Sequence, residues 1–484
     1  MTPDALLGLV MLVVMIFAIF IGFPISFTLL FLALAFGYLG LGQVVFSLAY
    51  FQTIGLMKEE LFAAVPLFIF MGYITEQAGL MERLFIALRL LLAPIRGSLF
   101  AVVILTAAIF AMATGIVGAA VTVLGIMASP IMVKSGYDGR LAAGCITAGG
   151  TLGILIPPSV MLIVMGPVLG VSVADLYASA FGPGFLLAGI YLAYLLGRAH
   201  FNPRLGPPVP REERVHSVGY MAWEVAVGVV PLVCLIAAAL GSILAGLATP
   251  TEAAGIGALG AVFLAAGYGK VSYAGMKRAV LATTATSSMV LLLAMTSNIF
   301  GAVFSRLGTA TWITDWMLAL PLPPVAMLVV VILLIFLLGW PFEWPAIVLV
   351  FLPIFYPVVD ALKPALGASL GIPADFVMIW FGALVAVTLQ TAFLSPPVAM
   401  SAYYLRQVVR EWSLATIYKG MFEFMLLQCI AIALIIIFPA IVTTLPEQLR
   451  EDARGVKVEQ IDDSMNRLEE DPLKGLQGEP QPAR

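Results

Sequence analysis

Long apolar runs separated by short polar loops dominate the chain. The runs 5–22, 178–196, 225–246 and 421–442 reach the ~20 residues that an α-helix needs to cross the hydrocarbon core of a bilayer. The first run has neither a basic segment before it nor a small-residue cleavage site, so we interpret it as a retained helix and not a signal peptide. The pattern predicts an all-α polytopic membrane protein.

Composition strengthens this prediction. Of the 484 residues, 62% are hydrophobic and 11% are charged, whereas a soluble protein carries about 25% charged residues. The formal net charge is −3 and no basic stripe exists, so we do not expect nucleic acid as a partner. The expected surroundings are the lipid bilayer.

One pattern occurs in both halves of the chain. The stretch "TAAIFAMATGIVGAAVTVLGIMASPIM" (106–132) precedes "GTLGILIPPS", and "VILLIFLLGWPFEWPAIVLVFLPIFYP" (331–357) precedes "LQTAFLSPPV". Each copy has two apolar arms around a glycine, followed by a helix that a Pro-Pro pair interrupts. Interrupted hydrophobic segments in corresponding halves point to the binding site of a transporter. Chance similarity between Gly/Pro-rich helices is the alternative interpretation.

The basic residues predict how these stretches enter the membrane. Lysine and arginine concentrate in cytoplasmic loops, and they flank 104–132 on both sides. The flanking residues are Arg83, Arg89, Arg96, Lys134 and Arg140. A re-entrant hairpin places the basic residues on both of its flanks in the cytoplasm. An arm of about 12 residues spans about 18 Å, which reaches the middle of a ~30 Å core. By the same count of membrane crossings, 325–358 is a hairpin that enters from the opposite side of the membrane. The repeats are then inverted, and both termini are expected on the periplasmic side.

The broken helices have a chemical purpose in this interpretation. Unwound backbone at membrane depth is tolerated only where it is buried in protein or lines a polar cavity. Its free carbonyls suit a hard cation such as Na⁺, and helix N-termini suit an anion. The alternative is that the glycines only permit close helix packing. The candidate Na⁺ ligands are Ala113, Thr114, Gly115, Gly150, Thr151 and Gly153 at the first site, and Gly339, Glu343, Gln390, Thr391 and Ser395 at the second. The candidate substrate-lining residues are Pro157, Pro158, Ser159, Pro396 and Pro397.

Two acidic residues lie within apolar stretches. Glu343 is close to the tip of the second predicted hairpin, where a carboxylate is expensive and indicates function. It could compensate a cation, carry protons or cap a helix half. Glu252 follows Thr249-Pro250-Thr251, and we interpret Thr251 as an N-cap and Glu252 as a structural residue of the first turn.

Several motifs resemble one known family. The stretches "FAMATGIVGAAVTVLG", "PIMVKSGYDGRLAAGCITAGGTLGILIPPSVMLIV", "ATPTEAAGIGALGA" and "LQTAFLSPPVAM" are similar to the large membrane (M, DctM-like) subunit of tripartite ATP-independent periplasmic (TRAP) transporters. "TGIVGAAV" and "TSNIFGAVFSRLG" resemble the mannitol/chloroaromatic-type branch. The resemblance covers about 1–445. The remaining polar run 446–484 is expected to be a largely disordered tail with a helical turn or two near the membrane.

The resemblance implies an elevator-type fold of the ion-transporter superfamily in the bacterial inner membrane. It implies Na⁺-driven import of a small carboxylate that a periplasmic substrate-binding protein delivers. It also implies a small four-helix membrane subunit, which we expect as a separate chain. The first tip reads Thr114-Gly115-Ile116-Val117, whereas many members have Ser-Gly-Ser-Ser, so more of the ion coordination is expected from carbonyls. Many members have Asp in the second tip, where this chain has Glu343.

The implied domain organisation alternates scaffold and transport segments. The expected segments are 1–95 (scaffold helices and an arm), 96–178 (first transport repeat, with hairpin 104–132 and broken helix 141–168), 179–322 (scaffold helices and a second arm), 323–408 (second transport repeat, with hairpin 325–358 and broken helix 376–405), 409–445 (an arm and the last scaffold helix) and 446–484 (the tail).

Other function classes find less support in the sequence. It contains neither a Ser–Lys nor an HExxH constellation for an intramembrane enzyme, and no GxxxxGK[ST] motif for an ATP-driven pump. We therefore do not expect an enzyme. A channel-like protein and a non-transporting structural subunit of a membrane complex remain the alternatives. Paired inverted hairpins favour alternating access over an open pore.

Overall fold

The computed structural model describes residues 2–115, 117–208, 218–396 and 399–451. Within these ranges every regular element is helical and no strand occurs, which confirms the predicted all-α class. The first half contains α1 (Pro3–Ile21), α2 (Ile25–Leu41), α3 (Val44–Met57), α4 (Ala64–Gln77), α5 (Leu80–Leu92), α6 (Ser98–Thr114), α7 (Val117–Lys134), α8 (Gly139–Thr151), α9 (Val160–Leu169) and α10 (Val173–Phe201). The second half contains α11 (Val218–Ile236), α12 (Ser242–Leu244), α13 (Pro250–Gly267), α14 (Tyr273–Arg306), α15 (Thr309–Leu318), α16 (Pro324–Leu338), α17 (Trp344–Ala346), α18 (Leu352–Ala361), α19 (Lys363–Leu370), α20 (Ala374–Gln390), α21 (Met400–Val408), α22 (Leu414–Ile437) and α23 (440–451).

Short tighter or wider turns join some of these helices. 3₁₀ segments occupy Glu60–Ala63, Leu152–Ile154 and Thr391–Phe393, and π segments occupy Ala237–Gly241 and Ile347–Phe351. The second π segment joins α17 to α18, so that 344–361 is one continuous helical stretch. The last 33 residues of the predicted tail, 452–484, lie outside the described residues.

In the part of the chain that the structure describes, nine helices are long and apolar enough to cross a membrane. The bent pair Glu60–Gln77 and Leu80–Leu92, with an angle of 59° between its halves, is a tenth candidate. All four apolar runs identified in the sequence overlap such helices over most of their length. The outer surface is also apolar, since Phe17, Phe27 and Phe31 are 66–70% exposed, as expected for side chains that face lipid or a membrane partner.

The start of α13 differs from the prediction. Thr249, and not Thr251, is the N-cap: its hydroxyl accepts from the Glu252 N–H at 3.3 Å, while the Glu252 carboxylate accepts from the Thr249 N–H at 2.8 Å. This reciprocal pair is a capping box, and Pro250 occupies the first helical position, where no N–H is needed. Thr251 instead donates to the Glu60 carbonyl at 3.1 Å. Glu252 therefore stabilises a helix terminus, in agreement with its structural interpretation.

Most helices pack in two groups, and α6 joins them because it also contacts α4, α5 and α11. In one group α4 packs on α13, α5 on α11, and α14 on α2, α3 and α4. In the other, α8 packs on α6, α7 and α22, while α10 packs on α6, α20 and α22. The contacts thus place α10 and α22 beside the broken helices, whereas the predicted division has them among scaffold segments. Gly420 of α22 explains one such contact, because a Cβ there would collide with the Arg140 carbonyl of α8. The division into a moving and a static domain stays a prediction.

Each half contains a helical hairpin followed by an interrupted helix. In the first half α6 and α7 contact each other and are joined through 115–116, and in the second half 339–343 joins α16 to the helix 344–361. The arms α6 and α7 have 17 and 18 residues, longer than the arms of about 12 residues that we predicted. The interruption at 152–159 and the described part of the second, 391–396 and 399, fall inside the predicted broken helices. Re-entrant entry from opposite faces stays a prediction.

Cysteine accessibility tests that topology. In a variant whose three native cysteines are replaced, Arg96→Cys and Lys134→Cys flank the first hairpin, and Leu322→Cys and Ala361→Cys flank the second; all four positions are exposed. We expect an impermeant thiol reagent to label the first pair only from the cytoplasm and the second pair only from the periplasm, since each hairpin leaves the membrane where it entered. Labelling of Arg96→Cys and Lys134→Cys from opposite faces would mean that the segment between them is an ordinary single crossing and not a hairpin.

Candidate functional site

Two adjacent prolines determine which carbonyls lack a helical donor after α8. A helical carbonyl accepts from the N–H four residues later, and Pro157 and Pro158 have no N–H. The carbonyls of Gly153 and Ile154 therefore lose their donors. The Ser159 hydroxyl replaces the lost donor of Ile154, because it donates to the Ile154 carbonyl at 2.5 Å. The next possible donor to Gly153 is engaged elsewhere, because the Ile156 N–H bonds to the Leu152 carbonyl at 2.9 Å.

The tip of the first hairpin faces the carbonyl that is left. Gly115 ends α6 with φ +60°, a left-handed conformation that glycine adopts without strain, and its N–H donates to the Ala111 carbonyl at 3.2 Å. A Cβ on Gly115 would lie 3.5 Å from the Pro158 carbonyl oxygen and 3.8 Å from that of Gly153. The structure therefore brings Gly115 and Gly153 together, with two backbone oxygens close to the tip.

The second half repeats this arrangement. Pro396 and Pro397 follow Ala392 and Phe393 by four residues, so the carbonyls of those two residues lose their helical donors in the same way. Gly339, at the second tip, packs directly on this turn, because a Cβ there would lie 3.1 Å from the Ala392 Cβ. Pro397 itself lies outside the described residues, but a proline has no N–H in any conformation.

The hydroxyls predicted as Na⁺ ligands donate within their own turns. Thr151 donates to the Ala148 carbonyl at 2.8 Å, Thr391 to that of Thr388 at 2.7 Å, and Ser395 to that of Thr391 at 2.6 Å. All three are buried. A hydroxyl that has donated its proton keeps oxygen lone pairs, so each can still accept or bind a cation.

The remaining candidate ligands fall into different situations. Gln390 ends α20 and is fully buried, and neither its amide nitrogen nor its amide oxygen has a partner among the described residues. A buried unpaired amide costs about 1–3 kcal/mol, which makes Gln390 a candidate for contact with a ligand. Gly150 fits the packing alternative, because a Cβ there would collide with the Val121 side chain of α7. Ala113 is buried in the last turn of α6, and the Thr114 side chain lies outside the described structure.

A cavity of about 150 Å³ lies between the two tips. Both hairpins, both interrupted helices, α4 and α14 contribute to its wall. The lining residues are Gly115, Val117, Gly118, Ile154 and Val160 from the first half; Glu343, Trp344, Pro345, Phe393, Met400 and Tyr404 from the second; and Ile69, Thr286, Met289 and Val290 from α4 and α14. Pro157, Pro158, Ser159 and Pro396, predicted to line the substrate site, are neighbours of these residues in the chain and do not line the cavity themselves.

Four helices begin at this cavity. Val117 opens α7, Val160 opens α9, Trp344 opens the helix 344–361 and Met400 opens α21, and each of these first residues lines the wall. Helix N-termini carry unsatisfied N–H groups and a partial positive charge of about half an elementary charge each. Among the described lining residues there is no lysine, arginine or histidine. Any positive potential in the cavity therefore comes from these backbone dipoles and not from basic side chains of the described wall.

Glu343 is the acidic residue in the described wall. It occupies the N-cap position before Trp344, yet its side chain forms no capping hydrogen bond to the described backbone. Of the three roles considered from the sequence, helix capping is therefore not realised. The carboxylate is half-buried and remains available to a cation, a proton or a ligand.

Sequence reasoning missed the contribution of α4 and α14. Both are uninterrupted helices, and nothing in their local pattern marks Ile69, Thr286 or Met289 as cavity residues. The hydroxyls of Tyr73 and Thr286 lie 3.2 Å apart and join the two helices beside the cavity. Periodicity within each helix could not have revealed this contact, because the two residues are 213 positions apart in the chain.

Comparisons with known proteins agree with this architecture. Residues 10–441 match the family described as "Tripartite ATP-independent periplasmic transporter, DctM component". The chain is 29% identical to the sialic acid TRAP transporter large permease protein SiaM of Vibrio cholerae, over 89% of this chain and 96% of that protein. It is 26% identical to the C4-dicarboxylate TRAP transporter large permease protein DctM of Rhodobacter capsulatus, over 88% and 96% of the two chains.

A solved transporter structure shares the fold. The crystal structure of the Alcanivorax borkumensis YdaH transporter, described as having an unusual topology, superposes with a TM-score of 0.60. It covers 90% of this chain and 98% of that chain at 16% sequence identity. The similarity therefore concerns the fold alone.

Restoring one N–H at each break tests the carbonyl sites. We expect Pro157→Ala and Pro396→Ala each to raise the half-saturating Na⁺ concentration about tenfold, because the new N–H competes for a carbonyl of Gly153 or Ala392 with roughly the strength of one hydrogen bond. The measurement is the Na⁺-dependent rise in unfolding temperature of the purified protein.

The matched control is Pro130→Ala, which adds an N–H to α7 at an exposed position away from either break. It should leave the Na⁺ dependence unchanged. Equal Na⁺ dependence in all three folded variants would mean that the freed carbonyls bind no ion.

Proposed function

Because this chain belongs to the DctM component family of tripartite ATP-independent periplasmic transporters, we propose that it imports a small organic acid, with Na⁺ as the coupling ion. Its named relatives are large permease proteins and not enzymes. The relatives named for sialic acid and for C4-dicarboxylates handle carboxylates. These names support secondary transport of an organic acid and leave the particular acid open.

One observation carries the proposal: four helix N-termini and two proline-interrupted turns meet around a single cavity between two hairpin tips. The N-termini supply positive potential for a carboxylate without a basic side chain. The interrupted turns supply backbone oxygens beside it. An anion and a cation bound at such adjacent sites stabilise each other, which is the physical basis of coupling in this proposal.

The two interrupted turns are the proposed Na⁺ sites. A cation can leave water only if protein oxygens replace its hydration shell. At the first site these are the carbonyl oxygens of Gly153 and Pro158 beside Gly115. At the second, the free carbonyl of Ala392, the unpaired amide of Gln390 and the lone pairs of Thr391 and Ser395 support the same role.

An elevator movement is the proposed mechanism of access. The interrupted helices and α6 pack with α10 and α22, whereas α4 and α14 pack with α2, α3 and α13 and touch the hairpins at α6 and at the helix 344–361. The cavity lies where the two groups meet. Sliding of the first group against α14 would carry the tips, and whatever is bound between them, across the membrane.

The proposed setting is the bacterial inner membrane, with both termini periplasmic. The proposed partners are a small membrane subunit and a periplasmic substrate-binding protein that delivers the acid, as the name of the family implies for its members in general. The exposed apolar side chains of α1–α3 support a membrane-embedded surface.

Reconstitution tests the proposal. The purified chain is placed in liposomes together with its small subunit, and the binding protein is added outside. The probes are radiolabelled sialic acid, succinate, isethionate and pyruvate. We expect at least one probe to accumulate above its external concentration only with an inward Na⁺ gradient, because downhill entry of the ion supplies the free energy. Omitting either partner should abolish accumulation.

Three other outcomes would each contradict a different part of the proposal. Equilibration without accumulation would indicate a channel. Accumulation that is indifferent to Na⁺ and to a Na⁺ ionophore would exclude Na⁺ as the coupling ion. No flux of any probe would favour a structural subunit.

A further inference from the structure

The tip cavity has an uneven charge distribution. Four helix N-termini open onto it, and one carboxylate, that of Glu343, lies in its described wall. The undescribed neighbours at the tips and breaks are the side chain of Thr114 and positions 116, 397 and 398, which are isoleucine, proline and valine in the sequence; none of them carries a charge. The cavity thus offers positive potential from the backbone and negative charge at one corner.

Glu343 stabilises no part of the described chain through a hydrogen bond or an ion pair. It forms no capping hydrogen bond to its own helix, and no described side chain forms a hydrogen bond or ion pair with it. An ionised carboxylate is an acceptor only. Its complement in a ligand is therefore a hydrogen-bond donor, and a second carboxylate at the same corner would be repelled.

The walls beside Glu343 suit such a donor. Trp344 is its neighbour in the chain, and the ring of Phe393 and the hydroxyl-bearing side chains of Tyr404 and Thr286 also line the cavity. Aromatic faces attract an ammonium group, and hydroxyls extend a hydrogen-bond network to a ligand hydroxyl. The cavity volume of about 150 Å³ limits the ligand portion held here to a small group.

We propose that Glu343 is a specificity-determining residue, which selects organic acids that carry a hydroxyl or ammonium donor beside the carboxylate over plain mono- or dicarboxylates. The acid group lies at the helix N-termini and the donor lies at Glu343. This inference rests on the proposed function, because it assumes that the cavity holds the transported acid.

Matched acids that differ only in the donor test the inference. The probes are propionate, lactate and alanine, which share one carbon skeleton, and succinate with malate. The purified complex of this chain with its small subunit is titrated with each acid in Na⁺, and binding is followed by the unfolding temperature and by quenching of Trp344, identified by its loss in Trp344→Phe. We expect lactate or alanine to bind about tenfold more tightly than propionate, as one hydrogen bond to a charged group implies.

Two substitutions of Glu343 distinguish recognition of an ammonium donor from recognition of a hydroxyl donor. Glu343→Gln keeps an acceptor oxygen but loses the charge, so it should abolish a preference for alanine and retain part of a preference for lactate. Glu343→Ala removes the acceptor and should abolish both preferences. The near-isosteric Glu343→Gln variant keeps the test valid if the alanine variant folds poorly.

The matched control is Glu59→Gln. Glu59 lines a separate crevice of about 500 Å³ between α3, α9, α14 and the helix 344–361, and this substitution should leave the preferences unchanged.

Three results would overturn the inference: no preference in the native protein, no detectable binding of any probe, or variants of Glu343 that change the half-saturating Na⁺ concentration equally for every acid. The last would make Glu343 an ion ligand. Native uptake that remains Na⁺-driven in the reconstitution would show that the proposed function stands even if this inference fails.

Discussion

The structure depends on a backbone constraint: a peptide group deep in a membrane protein must find a partner, and an unpaired one costs several kcal/mol. A Pro-Pro pair removes two consecutive N–H donors at each of two breaks, 152–159 and 391–399. One freed carbonyl, that of Ile154, is compensated by the Ser159 hydroxyl. The freed oxygen of Gly153 and the oxygen of Pro158 lie close to Gly115, where a bound cation would satisfy them. We therefore propose that bound ligands stabilise the breaks.

The rest of the site follows from where the helices restart. An interrupted helix has a second N-terminus in the protein interior, and a hairpin places one more at its tip. Two breaks and two tips therefore yield the four N-termini that surround the cavity. Small residues permit this convergence, since Gly339 allows direct contact with Ala392 and Gly115 adopts the left-handed turn between α6 and α7. The proposed ion sites and the proposed anion site thus depend on the same two tips and two breaks.

Local signals made much of this architecture predictable. Proline and glycine act within four residues of their own position, so both breaks and both tips could be identified from the chain alone. The N-cap of α13 was missed by two residues because Pro250 moves the helix start to Thr249. The contribution of α14 to the cavity, and the packing of α10 and α22 on the broken helices, could not be predicted, because they arise from contacts between uninterrupted apolar helices distant in sequence. The unpaired state of Gln390 likewise depends on tertiary packing.

Electron cryomicroscopy of the complex, in Na⁺ and in choline at equal ionic strength, would show whether backbone carbonyls at the breaks hold cations beside the tips. We expect density between Gly115 and the carbonyls of Gly153 and Pro158, and beside Ala392 and Gln390, in Na⁺ only. Identical maps in the two salts, with the carbonyls bonded to water or turned towards protein donors, would contradict it.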